Sequence, residues 1–173
     1  MHAPLIVNTP SYPQIDGLTF FNNKFNAVEI TSAILGIDAT IPNIGLPYLV
    51  INEFVVPRER VLSIESGVVL KFNTLGLLRV NGIINALGNE SQHIVMTSVR
   101  DDYVDGFDTN NDGLSYGQNG DWGGAVVDNP SAAARSTFLN CRFAFAGGSP
   151  KSRYSTIDVE YSTVVAEACT FER

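Results

Sequence analysis

The sequence is poor in positive charge and in the residues that make up the common catalytic sets. Eleven lysines and arginines stand against 18 aspartates and glutamates, giving a formal net charge of −7 and a pI near 4.7. A nucleic-acid backbone is held by cations that displace its counterions, so no nucleic-acid partner is expected. Apolar runs of about 18 residues are absent, so no membrane-inserted helix is expected. The stretch MHAPLIVNTPSYPQ lacks the basic and long apolar regions of a signal peptide and is expected to lie inside a longer chain. His2 and His93 are far apart and sit in neither an HxH nor an HExxH spacing, which leaves zinc without a motif. No CxxC, phosphate loop or Ser-His-Asp set is present, so the reading leans away from an enzyme. Two cysteines, Cys141 and Cys169, are too few to place the chain in a redox compartment.

What the sequence does have is apolar material in short pieces. Hydrophobic residues make up 45% of 173 residues, enough for one core, and one domain spanning 1–173 is expected. From residue 48 the chain reads YLVIN, FVVP, VLSIES, VVLKFN, LLRVNG, IINALG and HIVMTS, nearly all punctuated by Gly, Asn, Ser or Pro. Leu62 and Ile64 alternate with Ser63 and Glu65, and Leu70 and Phe72 with Lys71 and Asn73, the period of a half-buried strand. An almost entirely β protein is expected.

The spacing indicates how the strands are arranged. Leu62 and Ile64 recur as Ile84 and Ala86 after 22 residues, and Leu70 and Phe72 recur as Ile94 and Met96 after 24. Two different strands repeating with nearly one offset point to a chain whose turns lie on one another in parallel. Asn81-Gly82 could instead close an antiparallel hairpin, but the offsets favour the wound arrangement. TFFNNKF at 19–25 is echoed by TFLNCRF at 137–143, and CTF at 169–171 follows CRF at 141–143. Residues 1–32 are therefore expected to be end rungs like the tail of a preceding repeat, and 40–173 the main unit.

The run VVPRERVLSIESGVVLKFNTLGLLRVNGIINALGNESQHIVMTSVRDD, followed by DTNNDG and GDWGG, resembles the right-handed parallel β-helix domains of bacterial cell-surface and secreted proteins. Ser66-Gly67, Val80-Asn81-Gly82, Met96-Thr97-Ser98 and Gly120-Asp121-Trp122-Gly123-Gly124 carry the likeness over about residues 48–147. Arg58-Glu59-Arg60 and His93 depart from the usual pattern without disturbing it. The resemblance implies a right-handed parallel β-helix with a long acidic loop at about 100–121, located outside the cell or on its surface. It implies a structural or adhesive segment of a larger protein, whose partners would be flanking domains and a polysaccharide or surface glycan. Unpaired edges at the end rungs would in addition let copies associate end to end. Because the scaffold hosts unrelated activities, the fold alone does not name one.

DTNNDG sets Asp108, Asn110 and Asp112 at positions 1, 3 and 5 of a calcium-type loop, with Gly113 at the sharp turn. Position 12 is Asn119 in place of a bidentate glutamate, so a calcium ion would have to recruit Asp105 and Asp121 as well. The competing reading is a turn-rich excursion with no ion. Asp101 and Asp102 beside Arg100 suggest the carboxylates and base of a calcium-dependent polysaccharide lyase or hydrolase, against a plain solvated loop start. Tyr103, Tyr116 and Trp122 could form a sugar-stacking strip of a carbohydrate-binding module, although glycines around Trp122 favour a packing role. Cys141 and Cys169 are expected as free thiols on inward positions, Phe25, Phe143 and Phe171 as an aromatic stack, and Asn22 and Asn140 at bends.

Overall fold

The computed structural model describes residues 3–7, 18–19, 21–30, 34–74, 76–131 and 133–172. Its strands are short because each apolar run ends at a corner, and they assemble into three parallel sheets. The first sheet contains β1 (Leu5–Val7), β2 (Val28–Ile30), β4 (Tyr48–Val50), β7 (Val69–Phe72), β10 (Ile94–Ser98), β13 (Cys141–Ala144) and β16 (Thr170–Glu172). The second contains β5 (Glu53–Val56), β8 (Leu77–Val80), β11 (Ala125–Asp128) and β14 (Ile157–Glu160). The third contains β3 (Ala39–Ile41), β6 (Val61–Ile64), β9 (Ile83–Leu87), β12 (Arg135–Leu139) and β15 (Thr163–Glu167). From β4 onward the chain visits the sheets in fixed rotation, so each pass lays one strand on each sheet. The fold is all-β with parallel strands in stacked sheets, as the alternation and offsets require.

Register puts like on like. Leu62 pairs with Ile84 and Ile64 with Ala86, the offset read from the sequence. Leu70, however, pairs with Met96 and Phe72 with Ser98, so the expected partners Ile94 and Met96 are displaced by two residues. Parity survives such a slip, and the same face stays inside. The inward column Val28, Tyr48, Leu70, Met96 and Phe143 is fully buried, and a single apolar cluster runs from Val7 to Phe143. Phe138 stacks between Ala86 and Ala166, so one large ring fills the space that two small side chains leave. β2 pairs directly with β4, which places the N-terminal strands in the same sheet as the later ones.

The aromatic expectation holds in part. Phe143 and Phe171 stack with centroids 5.3 Å apart, whereas Phe25 packs with Ala27, Leu49 and Val99 in a separate small cluster. Phe25 precedes β2 instead of lying in a strand, so it never enters the column. Cys141 and Cys169 are both free, as expected, and burial pushes the Cys141 thiol up and keeps it protonated. Asn22 and Asn140 both adopt left-handed backbone, and Asn140 donates its amide to the Gly88 carbonyl one pass below. Phe20, in the 19–25 echo, lies outside the described residues, as does His2.

The outermost rung depends on charge. Arg142 in β13 forms a two-pronged pair with Glu172 in β16, at 2.9 and 2.7 Å. This guanidinium holds the Glu172 carboxyl below its usual value of 4.5. A carboxyl with a depressed folded pKa gives stability that is present above the unfolded value and lost as pH falls through the folded one. Acidification below pH 4.5 should therefore lower the amide protection factors of β16 before those of β7 or β10, and Glu172→Gln should remove that pH dependence.

Candidate functional site: the acidic loop

Between β10 and β11 the chain leaves the sheets over residues 99–124 and folds back across the outer face of the first sheet. That face is buried where an alternating strand would ordinarily meet water: Leu49 and Lys71 are each 0% exposed. The Lys71 ammonium is fully enclosed, donating to the Phe107 carbonyl (3.1 Å) and the Thr109 hydroxyl (2.8 Å) and pairing with Asp105 (2.9 Å). All three donor positions are thereby used. The loop tip is also tied to the N-terminal segment, because Asn26 donates its backbone N–H to the Thr109 carbonyl and its amide to that of Asp108.

The return to the sheets is made by Gly120-Asp121-Trp122-Gly123-Gly124. Trp122 is fully buried, stacks on Phe72 with centroids 4.1 Å apart and donates Nε1–H to the Ala144 carbonyl at 2.8 Å. It closes the corner between the first and second sheets and presents no face to a sugar, which removes it from the expected strip. Gly124 has φ of +92°, and a Cβ there would lie 2.5 Å from the Ser155 carbonyl, so only glycine can lead into β11. Tyr103 and Tyr116 remain exposed, at 67% and 58%, with their rings edge to face.

The acidic residues divide into four jobs. Asp105 serves Lys71; burial pushes its carboxyl up, an effect that the ammonium partly offsets. Asp121 accepts from the Ser98 hydroxyl (2.8 Å) and the Gln118 N–H (2.9 Å), securing the loop's exit to its return. Asp108 accepts from the backbone N–H groups of Asp112 and Gly113, while Asn110 donates to Asp112. Asp102, fully buried, accepts from Thr109 N–H and from both the N–H and the hydroxyl of Ser115.

Asp102, Asp108 and Asp112 are the three whose carboxylate oxygens lie within 4.8 Å of one another. The expected ligand set of Asp105, Asp108, Asn110, Asp112 and Asp121 is thus not gathered at one point. Asp108 and Asp112 come together, Asp105 and Asp121 are engaged elsewhere, and Asp102 is the member that spacing did not reveal. A hard cation takes six to eight oxygens, and three carboxylates supply part of that shell. Both oxygens of Asp102 and both of Asp108 already accept from N–H donors, so the turn holds its shape through its own hydrogen bonds. The lyase candidates are likewise occupied: Asp101 accepts from the Thr97 hydroxyl inside the protein, and Arg100 faces Asp121 at 3.7 Å. Comparison of the chain with protein-family models, curated proteins and solved structures gives no match.

Removing one partner of a buried charge pair strands the other in low dielectric at a cost of about 3–5 kcal/mol. Lys71→Met should destabilise the protein by about that amount in denaturant titration. Adding Asp105→Asn should recover part of the loss, because the stranded carboxylate is then gone.

Proposed function

We propose that the chain is a right-handed parallel β-helix serving as a structural or adhesive segment of a larger extracellular or cell-surface protein. The observation that carries this reading is the state of the outermost rung. β14, β15 and β16 each sit at the end of their sheet, so among the described residues their outer edges have no strand partner. The inward-column residues of this rung are open: Val159 is 43% and Phe171 52% exposed, although Val127 and Phe143, directly below them, are buried. An apolar column in register with the core, capped by unpaired edges, is a surface made to receive another rung. A flanking domain of the parent protein or a second copy would supply it, and stacking at about 4.8 Å per rung lengthens a stiff rod without new design. The extracellular placement rests on the sequence resemblance.

Sedimentation velocity over a concentration series tests the exposed rung. Association that grows with concentration and disappears in Val159→Lys supports it; a strictly monomeric profile at high concentration argues against end-to-end association.

In this reading calcium strengthens the loop and takes no part in a reaction. The support is the DTNNDG spacing, which sets Asp108, Asn110 and Asp112 at positions 1, 3 and 5 of a calcium-type loop. A ligand that binds only the folded state must stabilise it. Excess calcium should raise the thermal midpoint relative to chelated protein, and Asp108→Ala with Asp112→Ala should abolish the rise. An unchanged midpoint in the wild type would leave the loop held by hydrogen bonds alone.

A further inference from the structure

The corners between the second and third sheets differ in length: 57–60, 81–82, 129–134 and 161–162. The 81–82 corner is drawn tight, since Asn81 and Gly82 both donate to the Val56 carbonyl, at 2.8 and 3.0 Å. A Cβ at Gly82 would lie 2.3 Å from the carbonyl oxygens of Pro57 and Arg60, so no side chain can fill this level. The corners above and below project past it. The result is a cleft of about 430 Å³ with Val61, Gly82 and Ile83 as its floor, residues 58–60 as one wall and 129–131 with 133–134 as the other. The second wall is braced, because the Asn129 amide donates to the Gly82 carbonyl and its oxygen accepts from Ser131 N–H.

Charge singles this cleft out. In a chain of net charge −7, Lys71, Arg79, Arg100, Arg142, Lys151 and Arg153 are all engaged in ion pairs. Lys24, Arg58, Arg60 and Arg135 have no ion-pair partner among the described residues, and Lys24 sits over the Phe25 ring. Arg58 and Arg60 line the cleft together with Glu59, so two cations face one carboxylate there. Arg135 stands in the outward column of Val61 and Ile83, since Val61 pairs with Ile83 and Thr137 with Asn85. The Arg60 guanidinium is pre-set by bonds from Nε to the Gly36 carbonyl (3.0 Å) and from Nη1 to that of Glu59 (3.2 Å).

We propose that this cleft binds a carboxylate carried on a body the size of a sugar ring, a hexuronate being the type. Guanidinium groups match a carboxylate through paired N–H donors, and the aliphatic floor takes the C–H face of the ring. The volume falls in the range of small-molecule sites, about 300–1,000 Å³. The inference stands whether or not the chain serves as a scaffold segment.

The test is a titration of isotope-labelled protein with glucuronate, glucose and inorganic phosphate, following the amides of residues 81–83, Asn129, Ser131, Ala133 and Ala134. Glucuronate should give saturable shifts confined to the cleft, with glucose and phosphate much weaker. Arg58→Gln, at an exposed turn, should weaken glucuronate about tenfold. Ala133→Trp, which fills the cleft and keeps every arginine, should abolish binding. If Ala133→Trp fails to fold, Arg58→Gln and the ligand comparison still decide. Equal affinity for glucose, phosphate binding as tight as glucuronate, no shift with glucuronate, or full affinity in Arg58→Gln would each overturn the proposal.

Discussion

Every described strand in this protein pairs with a strand from another pass, and that one constraint shapes everything else. A lone three- to five-residue strand cannot keep its backbone groups paired, so each pass needs its neighbours in parallel register. Register in turn forces inward residues into columns, where each side chain packs on the one beneath. Phe138 over Ala86 shows the consequence for volume: a ring can enter the column only where the adjoining levels are small. Ser136 shows the consequence for polarity, because its hydroxyl enters an otherwise apolar column and accepts the Ile84 N–H at 3.2 Å. Within such a column a polar group is tolerated only with a partner.

The long loop is compatible with this constraint because it is inserted at a corner. β10 and β13 pair as closely as β7 and β10, although the chain has travelled through 99–124 between them. Loop length adds little closure entropy once the ends are fixed, so the cost is carried by docking. Lys71 does that docking. An ammonium placed on the outer face of the first sheet would stay in water, yet here it collects two oxygens and a carboxylate from 105–109 and becomes the point on which the loop settles. Trp122 performs the equivalent step with apolar surface where the loop returns.

Sequence reading recovered the arrangement wherever a local signal survives folding. Alternation identified the strands, and the offset from Leu62 to Ile84 matched the pairing because the intervening corners contain no insertion. The offset from Leu70 was misjudged by two residues for a physical reason: the side-chain period is two, so an even slip keeps every apolar residue inside and leaves the pattern unchanged. Phe25 falls outside the column although TFFNNKF shares letters with TFLNCRF, because the described residues of 19–25 contribute no strand. In the loop, the turn around Asp108 and Asp112 was legible from the i, i+2, i+4 spacing of DTNND. Asp102 was not, since its partners Thr109 and Ser115 lie 7 and 13 residues on and meet it only after the loop closes. Lys71 carried no signal at all; in VVLKFN it alternates outward like any solvent-facing residue, and only a second layer makes it buried.

Corner length is therefore the free variable of this architecture. The ladders fix strand position and polarity so tightly that a pass can vary only where it turns, and each variation adds a feature outside the strands while the strand pairing is kept. Lengthening the corner between the first and second sheets produced the acidic loop and, one pass later, the shorter excursion at 145–156 that meets it through Gly120, Trp122 and Gly148. Shortening one corner between the second and third sheets, with longer ones on either side, produced a recess flanked by arginines. The two features share no residues and lie at different corners. Substitutions in one should accordingly leave the other unchanged, as expected when chemistry is carried by turns on a rigid frame.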